Sequence, residues 1–178
     1  MARLAFYTFG VAHETMGHPR MQEFWDRVVP VIRSAASHPG YIAHDSDRGE
    51  RWGEDAAPRF YDPAVHAPVA EGHTSRSAAP ATLSLWRDVA SVVDFAYSGM
   101  HREALQRRKE WFRTPEWPTY VAWWVGDEEV PTRVEAAKRL EYLHDHGSTP
   151  HAFNFKQPFD ADGNPAPLSA RALENRPS

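Results

Sequence analysis

Cysteine is absent from the chain, which excludes disulfide bonds and thiolate-bound metal centres. Also missing are a glycine-rich phosphate loop, a dinucleotide fingerprint and the Gly-x-Ser-x-Gly elbow of serine hydrolases. Chemistry that depends on NAD, ATP or a serine nucleophile is therefore disfavoured. No apolar run reaches the roughly 18 residues of a membrane span, and no basic and then apolar leader opens the sequence. We therefore expect a soluble, cytoplasmic protein with no membrane partner.

Positive charge is neither abundant nor concentrated. Lysine and arginine total 20 against 24 acidic residues, a formal net charge of -4, which argues against nucleic acid as a partner. Apolar residues make up 42% of the chain and aromatic residues 12%, with seven tryptophans, as in a globular protein. The length favours a single domain, predicted over residues 1–159 with a long inserted loop at 45–80 and a loose tail at 160–178.

Hydrophobic periodicity predicts strands at residues 4–9, 40–44, 81–86 and 117–125. Helices are predicted at 19–36, 89–96, 100–112 and 132–146, with Pro30 kinking or restarting the first. Asp88 and Thr132 are the expected N-terminal caps, and Ser98-Gly99 separates the second helix from the third. The order β-α-β-β-α-β with a C-terminal helix predicts an α+β fold, a ferredoxin-like antiparallel sheet with helices on one face.

The fourth strand is apolar on both faces. Residues 120, 122 and 124 would line one face and residues 121, 123 and 125 the other, whereas an antiparallel sheet with one solvated face alternates apolar and polar residues. Both faces therefore need a cover. With only four or five strands available, we expect a second copy to supply it, so the prediction is a homodimer that forms a dimeric α/β barrel.

The helix at 100–112 carries the most distinctive pattern. An advance of 100° per residue puts His101, Leu105, Arg108 and Phe112 within about 40° of one line, and leaves Arg107 on the opposite, solvated side. An imidazole and a guanidinium thus lie on the stripe that should be buried. Since buried polar groups need partners, this stripe predicts a pocket.

In that pocket His101 would transfer a proton, Arg108 would stabilise developing negative charge, and Tyr97 would be a second donor. Six aromatic residues are candidate walls for an apolar substrate: Trp111, Phe112, Trp124, Tyr7, Trp52 and Phe60. An alternative stays open, in which Arg108 pairs with a core carboxylate and His101 with a backbone carbonyl, so that both are structural. The tryptophans likewise suit core packing.

Other histidines are weaker candidates. His13 and His18 share one loop with Glu14, where anchoring the loop is a simpler role than binding a metal. His144 and His146 are two residues apart on a helix end and point about 160° away from each other, which makes them poor co-ligands. Their position instead favours interaction with the helix dipole. No metal site is predicted apart from His101 if haem is bound.

Several segments resemble an uncharacterised bacterial family, domain of unknown function 3291. They are Leu83-Ser-Leu-Trp86, Phe95 to His101 and Arg108 to Phe112, followed by 120–125, 139–140, 144–147 and 150–155. The family lies within the dimeric α/β-barrel superfamily and is related in fold to antibiotic-biosynthesis monooxygenases. The resemblance covers about residues 4–159, and it implies the dimeric barrel more than any particular reaction.

Three functions follow as expectations. The first is a small-molecule enzyme of secondary metabolism, with monooxygenase-like, cyclase or isomerase chemistry on an apolar substrate and no bound nucleotide. The second is a haem enzyme with His101 as axial ligand, as in some dimeric α/β barrels. The third is a non-catalytic dimeric module that binds a ligand or has a structural role.

Overall fold

The computed structural model describes residues 1–15, 17–45, 51–66 and 79–168. Its strands form one antiparallel sheet in the order β2-β3-β1-β4. They are β1 (Arg3–Phe9), β2 (Tyr41–His44), β3 (Ala81–Trp86) and β4 (Tyr120–Val125). β1 is central, because it pairs with both β3 and β4. The sheet and its surrounding helices confirm the α+β class.

The helices in these ranges are α1 (Pro19–Ala36), α2 (Pro63–His66), α3 (Val89–Ala96), α4 (Gly99–Trp111) and α5 (Arg133–His146). The predicted caps are confirmed. The Asp88 side chain accepts the Ser91 N–H at 2.7 Å, and the Thr132 hydroxyl accepts the Glu135 N–H at 3.1 Å. α1 continues through Pro30, so the predicted restart does not occur.

The chain departs from a simple β-α-β-β-α-β succession in three ways. Residues of the predicted loop at 45–80 form the short helix α2, and two helices rather than one connect β3 to β4. The break between α3 and α4 lies at Ser98-Gly99, where Gly99 has a φ of 47°. β4 begins at Tyr120 rather than residue 117, and Phe153 pairs with Ala122 beside it.

Helices cover the first face of the sheet. Leu4, Phe6 and Trp86 on this face share a buried cluster with residues of α1 and α3. The second face carries Tyr7 and Trp123, both 0% exposed. It is covered by α5 and by residues of the segment 51–66, through a set of apolar side chains: Ala136, Leu140, Leu143, Trp52, Phe60 and Tyr61.

The argument that a second copy must cover one face is therefore wrong. It counted strands alone, whereas this chain covers the second face with its C-terminal helix and with the first half of the inserted loop. That first half lies on the body of the domain as expected, while residues 46–50 and 67–78 of the loop fall outside the described residues. The homodimer itself stays a prediction.

A buried ion pair fastens the cover of the second face. The Asp45 carboxylate, 1% exposed, contacts the Arg133 guanidinium, 13% exposed, at the start of α5. Asp45 also accepts the Trp52 N–H at 2.6 Å, and the Trp52 carbonyl accepts the Arg133 N–H at 3.0 Å. The end of β2, the inserted segment and α5 are thus joined at one point.

The beginning of the predicted loose tail is ordered. The Asp160 carboxylate accepts the N–H groups of Asp162 and Asn164 at 3.0 and 2.8 Å, and Phe159 pairs with Pro165. Residues 160–168 therefore form a defined turn, which differs from the expectation, whereas residues 169–178 lie outside the described part. Among the helices given above, none is long and apolar enough to cross a bilayer.

We expect Asp45→Asn to lower the free energy of unfolding by about 3 kcal/mol, because it leaves the Arg133 guanidinium buried without its full counter-charge. Urea denaturation followed by tryptophan fluorescence measures the change. Asp127→Asn is the control, since Asp127 pairs with the N-terminal amine at 3.2 Å on the surface and such pairs contribute less than about 1 kcal/mol. Small, equal losses in both variants would contradict the fastening role.

Candidate functional site

The stripe predicted on α4 is present. His101, Leu105, Arg108 and Phe112 are all partly buried, and Trp111 beside them is fully buried. Arg107 lies on the opposite side, as predicted, with its side chain 34% exposed. Its guanidinium donates to the Glu23 carboxylate of α1 at 2.6 Å and to Glu110 at 2.6 Å, so it joins two helices at the surface.

Trp111 and Phe112 belong to the interface between α1 and α4. The guanidinium groups of Arg27 and Arg107 lie 5.6 and 5.2 Å from the centroid of the Trp111 ring. The Phe112 ring meets Phe24 edge to face at 4.9 Å. The two predicted substrate walls therefore pack within the core and do not line a shared pocket with the other candidates.

His101 holds the junction of α3 and α4. Its Nδ1 donates to the Ala96 carbonyl at 2.9 Å, and its ring lies 4.8 Å from that of Phe95. Burial lowers the pKa of His101, although the hydrogen bond to Ala96 opposes the shift. A neutral imidazole bonded to the last carbonyl of α3 matches the structural alternative. Arg108 donates to the Leu105 carbonyl of its own helix at 2.6 Å.

Tyr97 and Trp124 come together in a groove of about 710 Å³ between α3 and the residues 159–168. The Trp124 Nε1–H donates to the Phe159 carbonyl at 2.8 Å, which orients the indole along the groove wall. Val89 and Val93 of α3 form part of the apolar lining, to which the far side contributes Phe159, Ala166, Pro167 and Leu168. We call this cavity the α3 groove.

All charged residues that line the α3 groove are acidic: Asp88, Asp94 and Asp160. The Asp88 carboxylate pairs with Arg87 at 3.0 Å, and that of Asp94 contacts the His38 imidazole at 3.2 Å. Hydrogen bonds from the Asn164 backbone and its neighbours lower the pKa of Asp160, so this carboxylate stays ionised at neutral pH. The groove is apolar inside and negative at its margin.

Tyr7, Trp52 and Phe60 lie on the opposite side of the sheet from the α3 groove. Tyr7 belongs to the cluster on the second face, against which Trp52 and Phe60 pack, and Phe60 contacts the Trp117 ring at 4.9 Å. The predicted site residues are thus divided among three places: the second face, the α3 groove and the α1–α4 interface with its junction to α3. No single pocket in the described residues unites them.

Sequence reasoning missed the far wall of the groove. Asp160-Ala-Asp-Gly163-Asn164 is a turn signal, since Asp and Asn side chains bond their own backbone and Gly163 takes a φ of 82°. That signal could have predicted an ordered turn where we expected a loose tail. Nothing in the local sequence indicates that the turn lies against α3, because this contact joins residues far apart in the chain.

The remaining histidines have structural contacts. The His13 Nε2 lies 3.2 Å from the Lys109 carbonyl, and His18 caps α1 by accepting the Arg20 N–H at 3.2 Å. His144 contacts Asp145 at 3.1 Å. Within residues 1–15, 17–45, 51–66 and 79–168, no group of three or more His, Asp or Glu side chains is placed to hold a metal ion. The contacts of His13 and His18 suit the loop-anchoring interpretation.

A family model for a domain of unknown function, DUF3291, matches residues 3–169, nearly the whole chain. The chain belongs to the DUF3291 family. The match includes both the α4 stripe and the α3 groove. No curated protein and no solved structure matches the chain. Membership in DUF3291 therefore confirms the family and leaves the relation in fold to monooxygenases as a prediction.

The lowered pKa of His101 predicts a pH-dependent stability. As pH falls below the ordinary histidine value of 6.5, the unfolded chain takes up the proton first. The contribution of His101 is complete above that pH and is lost as pH falls toward the folded-state pKa. His101→Asn keeps an amide donor for the Ala96 carbonyl but has no group that titrates in this range. We therefore expect the free energy of unfolding of this variant to fall less between about pH 7.5 and pH 5.5 than that of the unmodified chain.

Urea denaturation at a series of pH values measures this loss. His146→Asn, at the exposed C-terminal end of α5, reports the effect of removing an imidazole from the surface. A pH dependence in His101→Asn equal to that of the unmodified chain would contradict burial of the neutral imidazole.

Proposed function

We propose that this DUF3291 chain is a small-molecule-binding protein whose ligand, a compact organic cation with an apolar body, lies in the α3 groove. The observation that carries the proposal is the groove itself. Its volume of about 710 Å³ falls in the range of small-ligand sites, and three aromatic residues and a series of aliphatic ones line it. This corresponds to the ligand-binding alternative among the three expected functions.

The apolar body of the ligand would lie between Trp124 and the aliphatic side of α3. Val89 and Val93 are buried in the core beneath the groove, so they form a firm floor. The Trp124 indole is held by its bond to the Phe159 carbonyl, so its ring need not be ordered when a ligand binds. Both features favour binding of a flat or compact apolar group.

The charge of the margin supports a cationic ligand. Of the three carboxylates, Asp88 has a guanidinium partner, whereas Asp160 accepts hydrogen bonds from uncharged N–H groups and the Asp94 side chain is 72% exposed. None of the residues that line the groove is basic. An ammonium group would therefore gain electrostatic attraction at the margin, and a cation–π contact if it lies over Trp124.

Catalysis has less support than binding. The predicted proton shuttle, His101, and its partner Arg108 do not line the α3 groove. The Ala96 carbonyl engages only Nδ1 of His101, which is the arrangement that a histidine with Nε2 on a metal usually has, so the haem alternative also stays a prediction. Monooxygenase-like, cyclase or isomerase chemistry in secondary metabolism stays a prediction, as does a cytoplasmic location.

We further propose that the sheet has the ferredoxin-like arrangement. The order β2-β3-β1-β4 supports it, because each crossover, through α1 or through α3 and α4, spans one intervening strand. The dimeric α/β barrel is supported only by the resemblance to the DUF3291 family. The argument from an uncovered face no longer applies, because this chain covers both faces of the sheet.

Three probes of similar shape and different charge test the function: benzylammonium, benzyl alcohol and benzoate. The Trp124 indole N–H resonance, identified by its loss in Trp124→Phe, reports binding by NMR. We expect benzylammonium to bind at least about tenfold more tightly than benzoate, with a difference that shrinks as salt is added.

Ala90→Trp should abolish binding, because Ala90 lines the groove from an exposed position of α3 and a large ring there would fill it. Ala36→Trp, at the exposed end of α1, is the control and should bind normally. Equal affinity for the three probes would contradict a cationic ligand. Unchanged binding by Ala90→Trp, or no shift of Trp124 with any probe, would contradict the groove as the site.

A further inference from the structure

Four polar atoms in the cover of the second face have no hydrogen-bond partner among the described residues. They are the hydroxyls of Tyr7 and Tyr61 and the Nε1–H groups of Trp117 and Trp123. Tyr7 and Trp123 are 0% exposed and Tyr61 is 7% exposed. We call these four groups, which lie on the second face and in the residues that cover it, the donor layer. Buried polar groups without partners are rare in proteins, and here four occur together.

Three of the four groups belong to one continuous set of rings, and the fourth, Trp123, lies on the same face of the sheet as Tyr7 and in the same buried cluster. Tyr7 stacks on Phe9 with centroids 6.5 Å apart, and Phe9 meets Tyr61 at 5.2 Å. Tyr61 stacks on His66 at 5.9 Å, and His66 meets Trp117 edge to face at 5.1 Å. The unpartnered groups therefore lie along a shared apolar surface, as they would in a site for one molecule.

The chemistry of these groups defines the complementary ligand. An indole N–H can only donate, and burial raises the pKa of both Tyr7 and Tyr61, so both hydroxyls stay protonated and can donate as well. Four donors on aromatic walls require hydrogen-bond acceptors on an apolar molecule. We propose that the donor layer binds a small apolar compound carrying acceptor oxygens, of the class of aryl ketones and quinones.

A neutral acceptor fits better than an anion. The charges that act on Tyr7 are those of Arg133 and Asp55, and their effects on its hydroxyl oppose each other. Arg133 is already paired with the buried Asp45 carboxylate. Arg113, which acts on Tyr61, is exposed to solvent, and Arg139, 5.6 Å from the centroid of the Trp123 ring, is paired with Glu135. None of these cations is left to compensate a buried carboxylate or phosphate, whereas a carbonyl oxygen needs only the donors.

The attachment of residues 51–66 provides a route of entry. At Trp52 the segment is held by the buried Asp45. At Arg59 it is held by Asp145 and Glu141 of α5 through a guanidinium that is 56% exposed, and the Arg59 N–H also donates to Glu141 at 2.7 Å. Surface ion pairs contribute little to stability, so this end opens at lower cost than the Trp52 end. Tyr61 lies two residues beyond Arg59, so opening there exposes the donors.

This site is separate from the α3 groove. Trp123 and Trp124 are adjacent in β4, so their side chains project from opposite faces of the sheet. A ligand in the donor layer would contact Trp123 and one in the α3 groove would contact Trp124. The indole N–H resonances of the two residues report on the sites independently.

The first test is the stability of the chain alone. Because the Tyr7 hydroxyl is unpartnered, Tyr7→Phe should raise the midpoint of thermal unfolding by about 2 °C or more. Tyr120→Phe is the control and should lower it, since the Tyr120 hydroxyl accepts the Phe155 N–H at 3.3 Å. A lower midpoint in both Tyr7→Phe and Tyr61→Phe would overturn the proposal, because it would mean that each hydroxyl already has a partner such as buried water.

The second test compares 2-acetylnaphthalene with 2-isopropylnaphthalene, which has a similar shape and no acceptor oxygen. NMR titration of the Trp117 and Trp123 indole N–H groups should show about tenfold tighter binding of the ketone, and Tyr7→Phe should reduce this ratio. Equal affinities would overturn the acceptor chemistry. If neither probe shifts these resonances, the proposal of a site in the donor layer is overturned. This holds whether or not the Trp124 resonance shows binding in the α3 groove.

Discussion

The structure depends on one chain keeping water from both faces of a four-stranded sheet. β1 shows this most clearly, because its consecutive residues Phe6 and Tyr7 project from opposite faces of the sheet and both are buried. Helices α1 and α3 cover the first face, and α5 with the inserted segment covers the second. The second cover comes from parts of the chain that are distant in sequence, and the buried pair of Asp45 and Arg133 joins them. Both proposed sites lie where a covering segment meets this framework.

That arrangement changes the functional interpretation of the α4 stripe. His101 bonds the end of α3, and Arg107 joins α4 to Glu23 of α1, so the polar groups of this helix connect elements of the fold. The groove in which we propose a ligand lies instead beside Trp124, next to the ordered turn that follows Phe159. We therefore propose binding at the edges of the covers rather than catalysis from the helix stripe.

Local signals in the sequence predicted local structure well. The caps at Asp88 and Thr132 act within three residues, and the break at Ser98-Gly99 reflects the same short range. The buried stripe of α4 was also predicted. The ion pair of Arg107 with Glu23 was not, because it depends on where α1 lies against α4. Contacts between distant residues were beyond such reasoning, including Asp45 with Arg133 and the groove wall at 159–168. The apolar pattern of β4 correctly predicted that both faces of the sheet are covered. It did not predict that the same chain supplies the second cover.

The central claim is that the chain itself covers the second face of the sheet. Hydrogen exchange of the β1 and β4 amides, followed by mass spectrometry at about 1 µM and about 200 µM protein, tests it most directly. The account predicts equal protection at both concentrations, because the cover is part of the same molecule. Protection that falls on dilution would contradict it, since a second copy would then be needed to keep the sheet closed.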